Sequence, residues 1–124
     1  LPPFPTTTIY QARTGTYWIG TYGGGLVSIE AGRLRVYTTA DGLPSNAITS
    51  VAGGPRGAVW VGTNGGGAVL FEDGRVIEHV GPEVTGASLR TIEVDHSTDA
   101  SSPVWFGGNG LVRWDRGQVR RYGI

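Results

Sequence analysis

The sequence predicts an all-β fold, a β-propeller segment of three four-stranded antiparallel blades. Three observations carry that expectation. A unit of about forty residues occurs three times, each copy holds four short strand-like runs, and glycine marks the joins. Glycine fills 22 of 124 positions and proline 7, so long helices are disfavoured. Thirty Leu, Ile, Val and Phe residues, with four Trp and five Tyr, supply enough bulk for a packed core.

The repeat is set by tryptophan. Tyr17-Trp18-Ile19-Gly20-Thr21-Tyr22-Gly23-Gly24-Gly25 returns as Val59-Trp60-Val61-Gly62-Thr63-Asn64-Gly65-Gly66-Gly67, and in shortened form as Val104-Trp105-Phe106-Gly107-Gly108-Asn109-Gly110. An acidic-x-Gly landmark keeps step at Glu30–Gly32, Glu72–Gly74 and Asp115–Gly117, and Ile9, Val51 and Ile92 precede each Trp. First strands are expected near Thr7–Ala12, Ala47–Ala52 and Ser88–Asp95, followed by the Trp strands. Third strands are expected at Leu26–Glu30, Ala68–Asp73 and Leu111–Asp115, and fourth strands at Leu34–Tyr37, Val76–Val80 and Val119–Tyr122. One propeller segment thus divides into blades of about 1–40, 41–82 and 83–124.

Composition excludes several function classes. Ten Arg and ten acidic residues cancel, which leaves no broad positive field for nucleic acid. No apolar run approaches the ~18 residues of a membrane span, so no membrane insertion is expected. Without Cys there is no disulfide, thiolate metal site or thiol nucleophile. No cofactor and no metal are expected. The chain starts at Leu1 and contains no Met, which reads as a processed or partial product.

The motifs resemble a known family. Gly42-Leu43-Pro44-Ser45-Asn46-Ala47-Ile48, followed by Val59-Trp60-Val61-Gly62-Thr63-Asn64-Gly65-Gly66-Gly67, is similar to the two-component regulator propeller repeat. The first unit matches from Trp18 to Leu26. The third is degenerate, with Gly108 in place of the Thr and a leader without Pro or Asn. The resemblance implies an extracytoplasmic sensor region of a bacterial hybrid histidine kinase, hence a periplasmic or extracellular location and a role in signal transduction.

Candidate residues fall into two sets. Trp18, Trp60 and Trp105 could stack on a sugar, but their matching places inside strands favour packing between blades. Gly20, Gly62 and Gly107 follow them as structural positions. The triple glycines read as turns needing positive φ, not as phosphate cradles, because no helix start or Lys accompanies them. Loops after the second and fourth strands emerge on one end of a blade. Tyr22, Asn64 and Asn109 lie in the first loop, and Asp41, Ser45 and Asn46 in the second. Either they form a polar rim for a small-molecule or glycan ligand, or they sit there because such residues suit turns.

His79 aligns by count with Tyr37 and Tyr122 and reads as a packing position. His96 lies in the polar run Asp95-His96-Ser97-Thr98-Asp99, which lacks the spacing of a calcium loop. Arg90, Arg113, Arg116, Arg120 and Arg121 give the third blade a basic edge suited to ion pairs or subunit contact. No nucleophile or metal-pair motif is present, so the expectation is a non-catalytic binding module. A lectin-like oligomeric propeller is the alternative, and a streptogramin-lyase-like enzyme is a third. Three blades are too few to close a ring that typically holds ~4–8. The expected partner is therefore a second copy completing six blades as a homodimer, or the remaining blades of a longer chain.

Overall fold

The computed structural model describes residues 3–97 and 102–123. Twelve strands form three separate antiparallel sheets, each in sequential order. Blade 1 comprises β1 (Thr6–Gln11), β2 (Tyr17–Thr21), β3 (Leu26–Glu30) and β4 (Arg33–Tyr37). Blade 2 comprises β5 (Ile48–Gly53), β6 (Val59–Thr63), β7 (Gly67–Glu72) and β8 (Arg75–Val80). Blade 3 comprises β9 (Thr91–Val94), β10 (Val104–Gly107), β11 (Leu111–Asp115) and β12 (Gln118–Tyr122). The first strands β1, β5 and β9 are neighbours in space, so they line the inside of the arc. Thr7 reinforces this by donating its hydroxyl to the Ile48 carbonyl, 2.7 Å away on the next blade.

Side chains alternate across each sheet, so every blade presents two faces. One face of blade 1 carries Trp18 and Tyr37, which meet Phe71 of blade 2 with ring centres 6.1 and 4.9 Å apart. The equivalent face of blade 2 carries Trp60, which meets Phe106 and Trp114 of blade 3 edge-on at 5.9 and 5.5 Å. Two buried clusters follow from these contacts, one in each blade junction. Trp60 is the most enclosed of the four tryptophans, at 2% exposed. Trp105 stands on the outer face of blade 3 and is half-buried, stacked only on Tyr122 of its own sheet.

Glycine after each tryptophan lets the next blade come close. A Cβ on Gly20 would lie 2.7 Å from Ile48 Cγ2, and one on Gly62 would lie 3.1 Å from Leu89 Cδ2. Ile48 and Leu89 are fully buried, and each inserts into the hollow left by the preceding blade's glycine. Gly107 has no following blade, and a Cβ there would meet only Thr91 of its own sheet, at 2.8 Å.

Three details depart from the sequence reading. The first strand of blade 3 is shorter than Ser88–Asp95, because Leu89 is taken up as the plug on Gly62 and Asp95 already turns the chain. A single helical turn, α1 (Pro82–Thr85), sits in the connection before blade 3. It starts on a proline, whose fixed φ and missing N–H suit the first helical position. Finally, β8 carries a bulge where its register with β7 shifts between Leu70 and Phe71. Val80, not His79, therefore pairs with Ala68 as Tyr37 pairs with Leu26 and Tyr122 with Leu111. Val80 is buried, whereas His79 turns outward.

Candidate functional site

The loops that follow the second and fourth strands meet at one end of the blades, and backbone hydrogen bonds tie them together. Tyr22 N–H donates to Pro5 O at 2.9 Å and Asn64 N–H to Ala47 O at 2.9 Å, each joining a turn to its own first strand. Gly23 N–H donates to Asn46 O at 2.9 Å and Gly65 N–H to Ala87 O at 2.8 Å, each joining a turn to the segment entering the next blade. Threonine closes each turn from inside: Thr21 Oγ1 donates to Gly25 O at 2.7 Å and Thr63 Oγ1 to Gly67 O at 2.8 Å. The Gly-Thr-x-x-Gly pattern is thus a turn whose ends are locked by a buried hydroxyl. Blade 3, with Gly108 in place of that Thr, makes a shorter turn closed by Gly108 N–H to Gly110 O.

On this fixed frame, Tyr22 and Asn64 come together. Asn64 Nδ2 donates to the Tyr22 hydroxyl at 2.9 Å, bridging blades 1 and 2 across 42 positions of sequence, and both side chains are exposed. Asn109 occupies the matching turn of blade 3 and is also exposed. The other three residues serve local structure. Asp41 Oδ2 accepts from Thr38 N–H and Thr38 Oγ1 accepts from Ala40 N–H, a reciprocal cap on a short 3₁₀ turn. Asn46 Oδ1 accepts from Thr39 N–H at 2.9 Å, and Ser45 Oγ accepts from Ala47 N–H at 3.1 Å. Each keeps further polar capacity: the second lone pairs of the carboxylate, the Asn46 amide group and the Ser45 hydroxyl proton.

Sequence counting missed one side chain at this end. The bulge in β8 aims His79 at the turn of its own blade, with Nε2 2.9 Å from Gly66 O. The imidazole therefore stands beside the rim, on the outermost strand of blade 2. No signal short of the bulge itself could have placed it there.

Two interblade cavities among the described residues open at the opposite end, among the loops that follow the first and third strands. The larger, about 990 Å³, lies between blades 1 and 2. Arg33, Arg35 and Glu30 of blade 1 and Arg56, Glu72 and Asp73 of blade 2 line it, together with Trp18, Tyr37 and Phe71. The smaller, about 300 Å³, lies between blades 2 and 3 and is bounded by Trp60, Trp114, Glu78 and Arg116. The period-two spacing of Arg33 and Arg35 was visible in the sequence, but only the packing of two sheets makes it one wall of a cleft.

In the loop before β10, Ser97 donates both its hydroxyl and its N–H to the Asp95 carboxylate, the latter at 2.8 Å, and these bonds hold Asp95 below the usual carboxylate range. Thr98 and Asp99 of the same run lie outside the described residues. No group of three or more potential metal-ligating side chains occurs among the described residues. A carboxyl NMR titration is expected to place Asp95 below an ordinary aspartate, and Ser97→Ala to raise it. Because the folded value is depressed, the stabilisation is present above the unfolded value and fades as pH falls through the folded one. An unmoved titration in Ser97→Ala would show that the hydroxyl does not set it.

The basic edge of blade 3 has several partners. Arg121 donates to Val84 O and Glu83 O at 3.1 and 2.9 Å, satisfying carbonyls at the end of α1. Arg113 and Arg116 both approach Asp115, at 3.8 and 3.7 Å. Arg120 lies over the Tyr122 ring, 5.4 Å from its centre.

Residues 42–65, from the leader through the Trp60 strand to the glycine turn, match the family model described as Two component regulator propeller. That stretch is similar to the two-component regulator propeller repeat. Solved structures extend the likeness to all three blades. The extracellular domain assigned to the hybrid two component system BT3049 from B. thetaiotaomicron is 22% identical, with a TM-score of 0.77 over 96% of this chain and 17% of its own. The corresponding domain of BT4673 from the same organism is 20% identical, with a TM-score of 0.77 over 96% of this chain and 18% of its own. Virginiamycin B lyase from Staphylococcus aureus is 22% identical, with a TM-score of 0.77 over 100% of this chain and 43% of its own. These likenesses establish the propeller fold, and the chain spans less than half the length of each protein. No curated protein matches the chain. The same fold thus occurs in extracellular domains of two component systems and in a lyase. No helix among the described residues is long and apolar enough to cross a membrane.

Proposed function

We propose that this chain is a non-catalytic, ligand- or partner-binding part of a bacterial extracytoplasmic sensor, and that it binds through the loop end bearing Tyr22, Asn64 and Asn109. The hydrogen bond from Asn64 to the Tyr22 hydroxyl carries this reading. It holds two exposed polar groups from different blades in a fixed relation, on turns that backbone bonds keep rigid. Rigid presentation lowers the ordering cost of binding, and convergent polar groups set the orientation of a small polar ligand. Asp41, Ser45 and Asn46 extend the rim with their remaining donors and acceptors. The sensor assignment rests on the matched repeat and on likeness to extracellular domains of two component systems.

A screen of glycans and peptidoglycan fragments tests this reading. Tyr22→Ala and Asn64→Ala are each expected to weaken a hit by about tenfold, the worth of one or two hydrogen bonds. Arg35→Ala, in the cleft at the other end, serves as control. Loss of binding in Arg35→Ala alone would move the site to that cleft, and equivalent sites on successive blades would favour a lectin. Turnover of a streptogramin that disappears in His79→Ala would replace the binding role with lyase chemistry.

A further inference from the structure

The cleft between blades 1 and 2 is lined by charges of both signs that the fold leaves unpaired. We propose that it binds a short peptide with free amino and carboxyl ends and an apolar side chain, at a site separate from the loop-end rim. Both walls belong to adjacent blades of this chain, and the inference does not rest on what the rim binds.

The size of the cleft traces to one row of the sheets. Trp18, Ser28 and Arg35 are paired in register on blade 1, as Trp60, Leu70 and Glu78 are on blade 2. Serine thus stands where the next blade packs a leucine. The cleft lined by Ser28 measures about 990 Å³, against about 300 Å³ for the one lined by Leu70. A leucine there would bury more apolar surface, which favours folding. The serine instead lines the cleft at 6% exposed, with no partner for its hydroxyl among the described residues. Thr16 also lines it, at 7% exposed, accepting from Thr14 Oγ1 at 3.2 Å and keeping its own hydroxyl proton. Two enclosed hydroxyls therefore have capacity left for a bound group.

The charges say what kind of group. Blade 1 lines the cleft with two cations, Arg33 and Arg35, and one carboxylate, Glu30. Blade 2 lines it with one cation, Arg56, and two carboxylates, Glu72 and Asp73. The ion pairs among the described residues are those of Asp115 with Arg113 and Arg116. Glu30 and Arg33, opposite each other in register, do not close one, nor do Glu72 and Arg75. A ligand of a single sign would meet repulsion from half of the lining charges. A ligand of both signs sets its carboxylate toward the blade with the excess of arginine, and its ammonium toward the blade with the excess of carboxylates. Trp18 and Tyr37 line the same cleft, half-buried and with ring centres 6.2 Å apart, and offer an apolar side chain a surface to rest on. A short peptide with free ends combines these three features, and the volume lies within the ~300–1,000 Å³ of small-ligand sites.

Titration calorimetry of the chain tests the proposal, with free-ended dipeptides that carry Leu, Phe or Tyr as probes. At least one is expected to bind. Acetylating its amine or amidating its carboxyl is each expected to weaken it about tenfold, as loss of a charge-assisted contact does. Arg35→Gln is expected to weaken the free dipeptide by a similar factor and to leave the amidated one unchanged, a difference that a merely structural role would not produce. Ser28→Leu, which copies the residue of blade 2, is expected to abolish binding with the urea midpoint kept. Asn64→Ala, on the loop end, is expected to leave dipeptide binding as it was. The proposal is overturned if none of the dipeptides binds, or if capped forms bind as well as free ones. Binding that survives Ser28→Leu, or that is lost in Asn64→Ala, also overturns it. Should Ser28→Leu fail to fold, the Arg35→Gln comparison decides. No glycan enters these titrations, so failure of the rim screen and failure of the cleft are told apart.

Discussion

A Trp60→Ala variant is expected to lose about 3–5 kcal/mol of stability, the usual range for removing a large aromatic from a core. Against the ~5–15 kcal/mol that holds a typical domain together, this removes between about a fifth and all of the margin. The size of the effect follows from position. Trp60 lies on the middle blade, 2% exposed, and its ring meets both Phe106 and Trp114 of the third blade. Truncation would leave a cavity in the larger of the two buried clusters, where Leu70, Leu89 and Val104 cannot all move to fill it. Urea unfolding followed by far-ultraviolet circular dichroism measures the loss. A cost below about 1 kcal/mol would show that this junction is not a close-packed core.

Gly67→Ala is expected to be the second most damaging change, and Gly65→Ala gives its internal control. Both residues have positive φ, +81° at Gly67 and +85° at Gly65. Either substitution incurs the left-handed penalty of about 1–2 kcal/mol. At Gly65 nothing lies within 4 Å of the new methyl group, so the cost stops there. At Gly67 the methyl group would be driven into the Val80 carbonyl and within 3.0 Å of the Gly81 backbone. Backbone on both sides leaves no side chain to swing away, so the β7–β8 pairing itself must shift. The Gly67 variant is expected to lose at least 2 kcal/mol more than the Gly65 variant, on the order of a strained or broken ladder position. Equal midpoints for the two in urea would mean that close approach is not what the third glycine of the turn provides.

The strand framework was legible because the signals that define it are local. Alternation sets which residues share a face, and Glu30–Gly32, Glu72–Gly74 and Asp115–Gly117 sit at the tight turns between third and fourth strands. Ala31, Asp73 and Arg116 adopt φ near +50° there, a conformation that local turn chemistry selects. Ile48 and Leu89 sit at matching places in the sequence, three residues ahead of Val51 and Ile92. Their purpose, filling the hollow over the preceding blade's glycine, depends on how close two sheets come.

Where counting along the chain failed, a single extra residue was responsible. The bulge in β8 moves His79 off the face it would otherwise share with Tyr37 and Tyr122, and puts Val80 there. A bulge reverses which side every later residue faces, and nothing in the residue types of Arg75–Val80 announces it. The same limit applies to the polar loops. Asn64 and Tyr22 belong to different units, and their hydrogen bond exists only because neighbouring blades bring equivalent turns side by side.

Residue order alone determined the number of blades, the strands within each and the aromatic positions at their junctions, because period-two patterning and turn chemistry act over a few residues. Only the assembled sheets decided which tryptophan is enclosed and where the clefts open. Those features depend on distances between segments some forty residues apart, and such distances are set by packing rather than by neighbours in the chain.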